Sequence, residues 1–184
     1  MKVIGISGSL RKGSFNSAAL RAAQELAPEG MTIERAEIGD LPLYDDDVRA
    51  AGLPAPVERL RAQLAAADAI LFVTPEYNFS IPGVLKNAID WASRPPNQPF
   101  DDKPVAIMGA SGGVIGTARA QYHLRQMLVF LNAHPINKPE VMIGQAATKF
   151  DAEGRLTDEP TREFVRQLLV SLAAWTRRLQ AGKA

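Results

Sequence analysis

The residues able to do chemistry gather in three short stretches. The first reads Ser7-Gly8-Ser9-Leu10-Arg11-Lys12-Gly13-Ser14-Phe15-Asn16-Ser17 and separates an apolar run from a helical pattern. A strand–loop–helix of small residues points consecutive backbone N–H groups at a helix N-terminus, which favours an anion. Gly8 and Gly13 have the GxxxxG spacing of a triphosphate loop, but Ser14-Phe15 stands where Lys-Ser/Thr belongs, so triphosphate and Mg²⁺ handling does not follow. The GxGxxG dinucleotide pattern is absent as well. Three hydroxyls (Ser9, Ser14, Ser17), the Asn16 amide and the Arg11 guanidinium suit one metal-free phosphate monoester, with Arg11 able to bind two oxygens at once. The bland alternative is a capped helix start, with Asn16 or Ser14 as N-cap and the rest solvated.

The second stretch is Pro75-Glu76-Tyr77-Asn78-Phe79-Ser80-Ile81-Pro82, leading into Gly83–Trp91. Pro75 ends a strand, and Pro82 fits the first turn of a helix, where no N–H is needed. Between them, an aromatic ring and a carboxamide could pack beside a planar ligand and bond to its edge. A proline-bounded loop that merely folds tightly is the alternative. The third stretch is Ser111-Gly112-Gly113-Val114-Ile115-Gly116. Its paired glycines allow the backbone to approach a flat ligand, or simply make a turn.

Composition narrows the chemistry. The 184 residues contain no cysteine and two histidines, which excludes thiolate nucleophiles, disulfide scaffolds, cysteine-held clusters and CxxC redox pairs. Redox chemistry therefore needs a borrowed organic cofactor. Basic and acidic residues nearly cancel, 21 against 20, which speaks against a nucleic-acid binder. No stretch approaches the 18 or so apolar residues of a membrane span, and the N-terminus has no signal-like apolar region. A cytoplasmic protein is the plain expectation.

These stretches need elements to position them. Apolar, β-branched runs at Lys2–Ser7, Ala69–Thr74, Pro104–Ala110 and about Glu140–Ile143, with a weaker one at Thr32–Ile38, predict five strands. Helical patterns fall at Asn16–Ala27, Val57–Ala67, Gly83–Ala92, Thr117–Leu131 and Glu159–Leu179. Ala69–Thr74 is apolar on both faces, as a strand covered by helices on both sides should be. The alternation predicts one α/β domain over residues 1–184, a flavodoxin-like, doubly wound parallel five-stranded sheet of order 2-1-3-4-5. In that order the chain reverses between strands 1 and 3, so a crevice opens at their C-terminal ends, where the first two stretches lie.

Taken together, GSLRKGSFNS, PEYNFSIPGVLKNAIDW and GGVIGTARAQYHLR resemble the NADPH-dependent FMN reductase family, and within it the bacterial quinone and chromate reductases. The likeness runs from Met1 to about Glu140 and includes DLPLYDDD at 40–47. It implies a flavodoxin-like fold, one non-covalent FMN per chain, NAD(P)H as co-substrate, and a homodimer or homotetramer with the flavin near a subunit interface. By resemblance, Ser9, Arg11, Ser14, Phe15, Asn16 and Ser17 hold the FMN phosphate. Pro75, Glu76, Tyr77 and Asn78 contact the isoalloxazine, and Ser111, Gly112 and Gly113 lie at its pyrimidine edge. The implied activity is ping-pong, two-electron reduction of quinones by NAD(P)H, with chromate, azo compounds or free flavin as further small-molecule acceptors. The cofactor carries the hydride chemistry, so no catalytic side chain is assigned.

Two other classes compete: a flavodoxin-type electron carrier without its own NAD(P)H activity, and a phosphate-binding module without redox chemistry. Carriers are usually strongly acidic for docking, which a net charge of +1 argues against. Arg94 lies just past the helix Gly83–Ala92, about 15 Å from the flavin loop at 1.5 Å per residue. It is read either as a contributor to a neighbouring subunit's flavin site or as a solvated arginine. Asp45-Asp46-Asp47 reads as a solvated loop or subunit contact, and Leu124, Met127, Leu128 and Leu131 as core.

Overall fold

A computed structural model describes residues 1–182. β1 (Lys2–Ser7) is followed by α1 (Phe15–Glu25), β2 (Thr32–Ala36), α2 (Asp46–Ala50), α3 (Ala55–Ala65) and β3 (Ala69–Val73). Next come α4 (Gly83–Ala92), β4 (Pro104–Ala110), α5 (Ala118–Phe130), β5 (His134–Pro135), β6 (Val141–Ile143) and α6 (Glu159–Ala181). The strands pair in parallel in the order β2-β1-β3-β4-β5, with β6 also on β4.

The helices divide between the two faces. β3 shows why its run is apolar throughout, since all five residues are fully buried. Leu71 and Val73 pack with Leu20 of α1 and Leu169 and Leu172 of α6. Ile70 and Phe72 pack with Leu60 and Leu64 of α3, Leu85 and Trp91 of α4, and Leu124 and Leu128 of α5. Successive side chains of a strand point to opposite faces, so one short strand serves both cores.

The expected fifth strand is two pieces. β5 lies beside Pro104 and Val105 at the start of β4, and β6 beside Met108–Ala110 at its end. His134 N–H donates to Lys103 O and Ile136 N–H to Val105 O, with Pro135 between them at the position that needs no donor. A proline is tolerated at such a sheet edge, but a two-residue strand built around one leaves no apolar run to read.

Two contacts set the crevice. An added Cβ on Gly109 would lie 2.1 Å from Thr74 O, so this glycine lets the start of the second loop press against β4. The 40–47 segment is clamped to α4: Asn87 Nδ2 and Trp91 Nε1, one turn apart, both donate to Pro42 O at 2.8 Å. Asn87 Oδ1 also accepts from Tyr44 N. No helix among the described residues is long and apolar enough to cross a membrane.

Candidate active site

The first loop has an exposed tip, residues 10–13, between two buried polar ends that are tied to β3 and β4. Gly8 N–H donates to Val73 O of β3, and the hydroxyls of Ser7 and Ser17 lie 3.0 Å apart. Ser14 is the N-cap of α1, its Oγ accepting from Asn16 N–H and Ser17 N–H. The Asn16 carboxamide pairs with both backbone groups of Ala110, donating to its oxygen at 2.9 Å and accepting from its N–H at 2.8 Å. This two-point clamp sets the loop against the end of β4. Ser9, Ser14, Asn16 and Ser17 are all buried. Arg11 has no acidic partner among the described residues, and its guanidinium stands 5.8 Å from the Phe15 ring.

The second loop makes a tight turn. Tyr77 and Ser80 exchange both backbone hydrogen bonds, and Asn78 and Phe79 between them have φ values of 51° and 64°. Positive φ at both central residues is the twist that a two-residue turn demands, and Asn tolerates it where Phe does not. The strain at Phe79 is held from outside. Arg119 stacks its guanidinium 3.6 Å from the Phe79 ring centre and donates from Nε to Glu76 at 2.7 Å. The Glu76 carboxylate, nearly buried, also accepts from Arg119 N–H and Ala120 N–H in the first turn of α5. Thr117, the N-cap residue of α5, makes no side-chain cap, so Glu76 caps that helix from forty residues away.

The third loop hangs on β6 and the segment after it. Ser111 N–H donates to Ile143 O, and Ala146 N–H and Gln145 N–H donate back to Ser111 O and Gly113 O. An added Cβ on Gly112 would meet nothing within 4 Å, so open space lies where the sequence predicts a flat ligand.

These loops enclose a cleft of about 250 Å³ over the C-terminal ends of β1, β3 and β4. Ser9, Arg11, Ser14, Phe15, Asn16, Pro75, Glu76, Tyr77, Ser111 and Gly112 line it. Ala110 also lines it, unanticipated; its only sequence signal is that it ends β4. Three expected residues stand elsewhere. Ser17 is buried behind Ser7, Asn78 is the exposed turn residue, and Gly113 is exposed one residue beyond the cleft. Arg119 was present in a motif but carried no role, because its partner Glu76 is remote in sequence. His123 is exposed and touches only Ser80 Oγ, at 3.2 Å.

Arg94 lies outside the cleft, beyond the end of α4. It donates to Asp90 O and Ser93 Oγ, and stands 5.5 Å from the Tyr44 ring. Arg61 holds that turn by donating to the carbonyls of Ala92, Arg94 and Pro96. Asp45 caps α2, and Asp46 accepts from Arg49 and from the Tyr44 hydroxyl, so its carboxyl is held below the usual range, chiefly by Arg49. Among the described residues no group of His, Cys, Asp and Glu could hold a metal ion.

The cleft fits a phosphate ester of a flat ring. One end offers buried hydroxyls, a helix N-terminus and an uncommitted guanidinium; the other offers Tyr77 and an open glycine wall.

Residues 1–148 match the family model described as NADPH-dependent FMN reductase. Over 180 residues the chain is 64% identical to an NAD(P)H-dependent FMN reductase of Pseudomonas aeruginosa, covering 98% of this chain and 97% of that protein. It is 48% identical over 183 residues to a quinone reductase of Escherichia coli, covering 98% and 97%. Among solved structures, the flavoenzyme NAD(P)H:(acceptor) oxidoreductase FerB of Paracoccus denitrificans superimposes with a TM-score of 0.87 at 40% identity, covering 96% of this chain and 97% of that one. The clefted, three-loop sheet described above thus belongs to a chain of the NADPH-dependent FMN reductase family.

Proposed function

We propose that this chain is an FMN-dependent NAD(P)H oxidoreductase that delivers two electrons to quinones. The observation that carries the reading is the cleft itself: Arg11, without an acidic partner, and the buried serine hydroxyls stand at one end of a crevice whose other end is open and flat. Ser9, Arg11 and Ser14 bind the FMN phosphate beside Phe15. Asn16 and Ser17 support that loop from behind, through Ala110 and Ser7. Pro75, Glu76 and Tyr77 shape the side of the ring site, with Asn78 in the turn beyond Tyr77, and Ser111 and Gly112 lie at the pyrimidine edge, with Gly113 one residue further out. Bound there, FMN would supply the two-electron redox chemistry between NAD(P)H and an acceptor.

The chain's own contribution is position. The Glu76 carboxylate is committed to α5 and Arg119, and the reading assigns no side chain as a general acid or base. Donor and acceptor share one open face and bind in turn, and free flavin, azo compounds and chromate reach the same face. Assembly into a homodimer or homotetramer belongs to the same reading, with Arg94 offered to a neighbouring subunit's site.

Initial rates of NAD(P)H oxidation at several quinone concentrations test it. The expected result is parallel double-reciprocal lines and quinol as product. Intersecting lines would contradict the shared face. Retention of FMN with no NAD(P)H oxidation would leave a carrier in place of an enzyme.

A further inference from the structure

The distribution of cations marks a second site. Most of the described Lys and Arg have an acidic or carbonyl partner, as in Lys2–Glu34, Arg59–Asp40 and Arg166–Glu159. Among the described residues the ones with neither are Arg11 and Lys12 in the first loop, and Lys138, Arg177 and Arg178. Of the first pair, Arg11 lines the proposed flavin cleft. Lys138 and Arg178 line another cleft, of about 360 Å³, between the edge of the sheet and α6.

That cleft has a rigid aromatic wall. Trp175 Nε1 donates to His134 O at 2.9 Å, which fixes the indole against β5. The Arg178 guanidinium stands 5.7 Å from the indole ring centre, and Ile136 and Ala174 supply apolar surface. A larger, shallower hollow beside it shares Lys138 and Ser171, so the two run together along α6. The position is remote from the redox site. β5 pairs with the first residues of β4, whereas the flavin cleft takes in Ala110, its last. Seven residues of strand separate them by about 20 Å.

We propose that this cleft binds a planar aromatic molecule bearing an anionic group, its ring on Trp175 and its charge held by Lys138 and Arg178. The volume suits a small ligand, and indole with guanidinium is a pairing that receives both an aromatic face and an oxyanion. Two lining cations on a chain of net charge +1 are too few for a nucleic-acid track. The site does not depend on the redox reading, since its ligand meets neither electron donor nor acceptor.

AMP is a suitable probe, with adenosine as its uncharged counterpart. The full chain saturated with FMN, so that the first loop is filled, is titrated with AMP while tryptophan emission is followed. Trp91 is fully buried and pairs with Tyr44, so the change reports Trp175, the other tryptophan. Saturable quenching is expected, weakened about tenfold in the Lys138→Gln/Arg178→Gln double variant and for adenosine. Calorimetry provides the same comparison without the fluorophore, and quinone reduction by the double variant should equal that of wild type. Absence of binding by both methods, equal affinity for AMP and adenosine, or undiminished binding to the double variant overturns the proposal. So does a double variant whose only change is its sedimentation, which would make this face a subunit contact.

Discussion

At the scale of single residues, Arg11 and Glu76 do opposite jobs in one cleft. Arg11 is exposed and has no acidic partner among the described residues, which leaves its guanidinium available to the proposed phosphate. A charge-assisted bond to phosphate contributes on the order of 1.5–3 kcal/mol, so Arg11→Ala should weaken FMN binding about 10- to 150-fold. Riboflavin, which lacks the phosphate, should bind wild type and variant alike; flavin fluorescence titration checks both. Glu76 is already satisfied, by two N–H groups of α5 and by Arg119. Glu76→Ala would strip the cap from α5 and release the positive-φ turn at Asn78 and Phe79. A loss of about 1–3 kcal/mol of stability is expected, with FMN released more readily. Thermal melts with and without FMN measure it, and a loss of FMN affinity alone, at unchanged apoprotein stability, would contradict the capping role. Ser14 shows that two readings of one residue need not compete: it caps α1 and lines the cleft at once.

At the scale of elements, the chain's last helix depends on one carboxylate. Asp158 accepts from Thr161 N–H and from the Thr161 hydroxyl, and Lys149 lies 3.8 Å away. These contacts, the Thr161 hydroxyl foremost, hold its carboxyl below the usual carboxylate range. The depressed value fixes the sign. The stabilisation is fully present above the unfolded Asp value of about 4, and is lost as pH falls through the lower folded value. Asp158→Ala should cost about 0.5–2 kcal/mol at neutral pH, and much less in acid, where wild type has lost the same cap. Chemical denaturation at the two pH values measures the difference. α6 was legible from its helical pattern over 159–179. β5 was not, because two residues around a proline carry no periodicity at all.

At the scale of the whole molecule, α5 leaves several large apolar side chains exposed. Tyr122, Val129 and Phe130 are 56%, 78% and 86% exposed along one side of that helix. A second copy of the chain is the occupant that the proposed assembly needs there. Phe130→Asp should therefore shift the species seen by light scattering toward the 19.9 kDa chain, and an unchanged mass would place the subunit contact elsewhere. Arg94 belongs to the same question. It is anchored beside Tyr44, away from its own cleft, so any effect on turnover must come through a neighbour. In the assembled protein, Arg94→Ala should raise the KM for NAD(P)H and chromate while FMN content and neutral-quinone turnover stay unchanged. Unmoved KM values would leave Arg94 as a surface cation stacked on Tyr44.

What the sequence by itself determined was whatever depends on neighbours along the chain. Strand and helix periods, the small-residue turn after β1 and the proline-bounded second loop are local, and they were enough to place a parallel sheet and a crevice between strands 1 and 3. Only the tertiary structure decided what each polar side chain is bonded to. Asn16 meets Ala110 across 94 positions, Glu76 meets Arg119 across 43, and Asn87 and Trp91 share the carbonyl of Pro42. The same residue types read equally well as ligand contacts until their partners are known. A buried polar atom takes whichever donor or acceptor the fold brings to it, and that is set by the packing of distant elements.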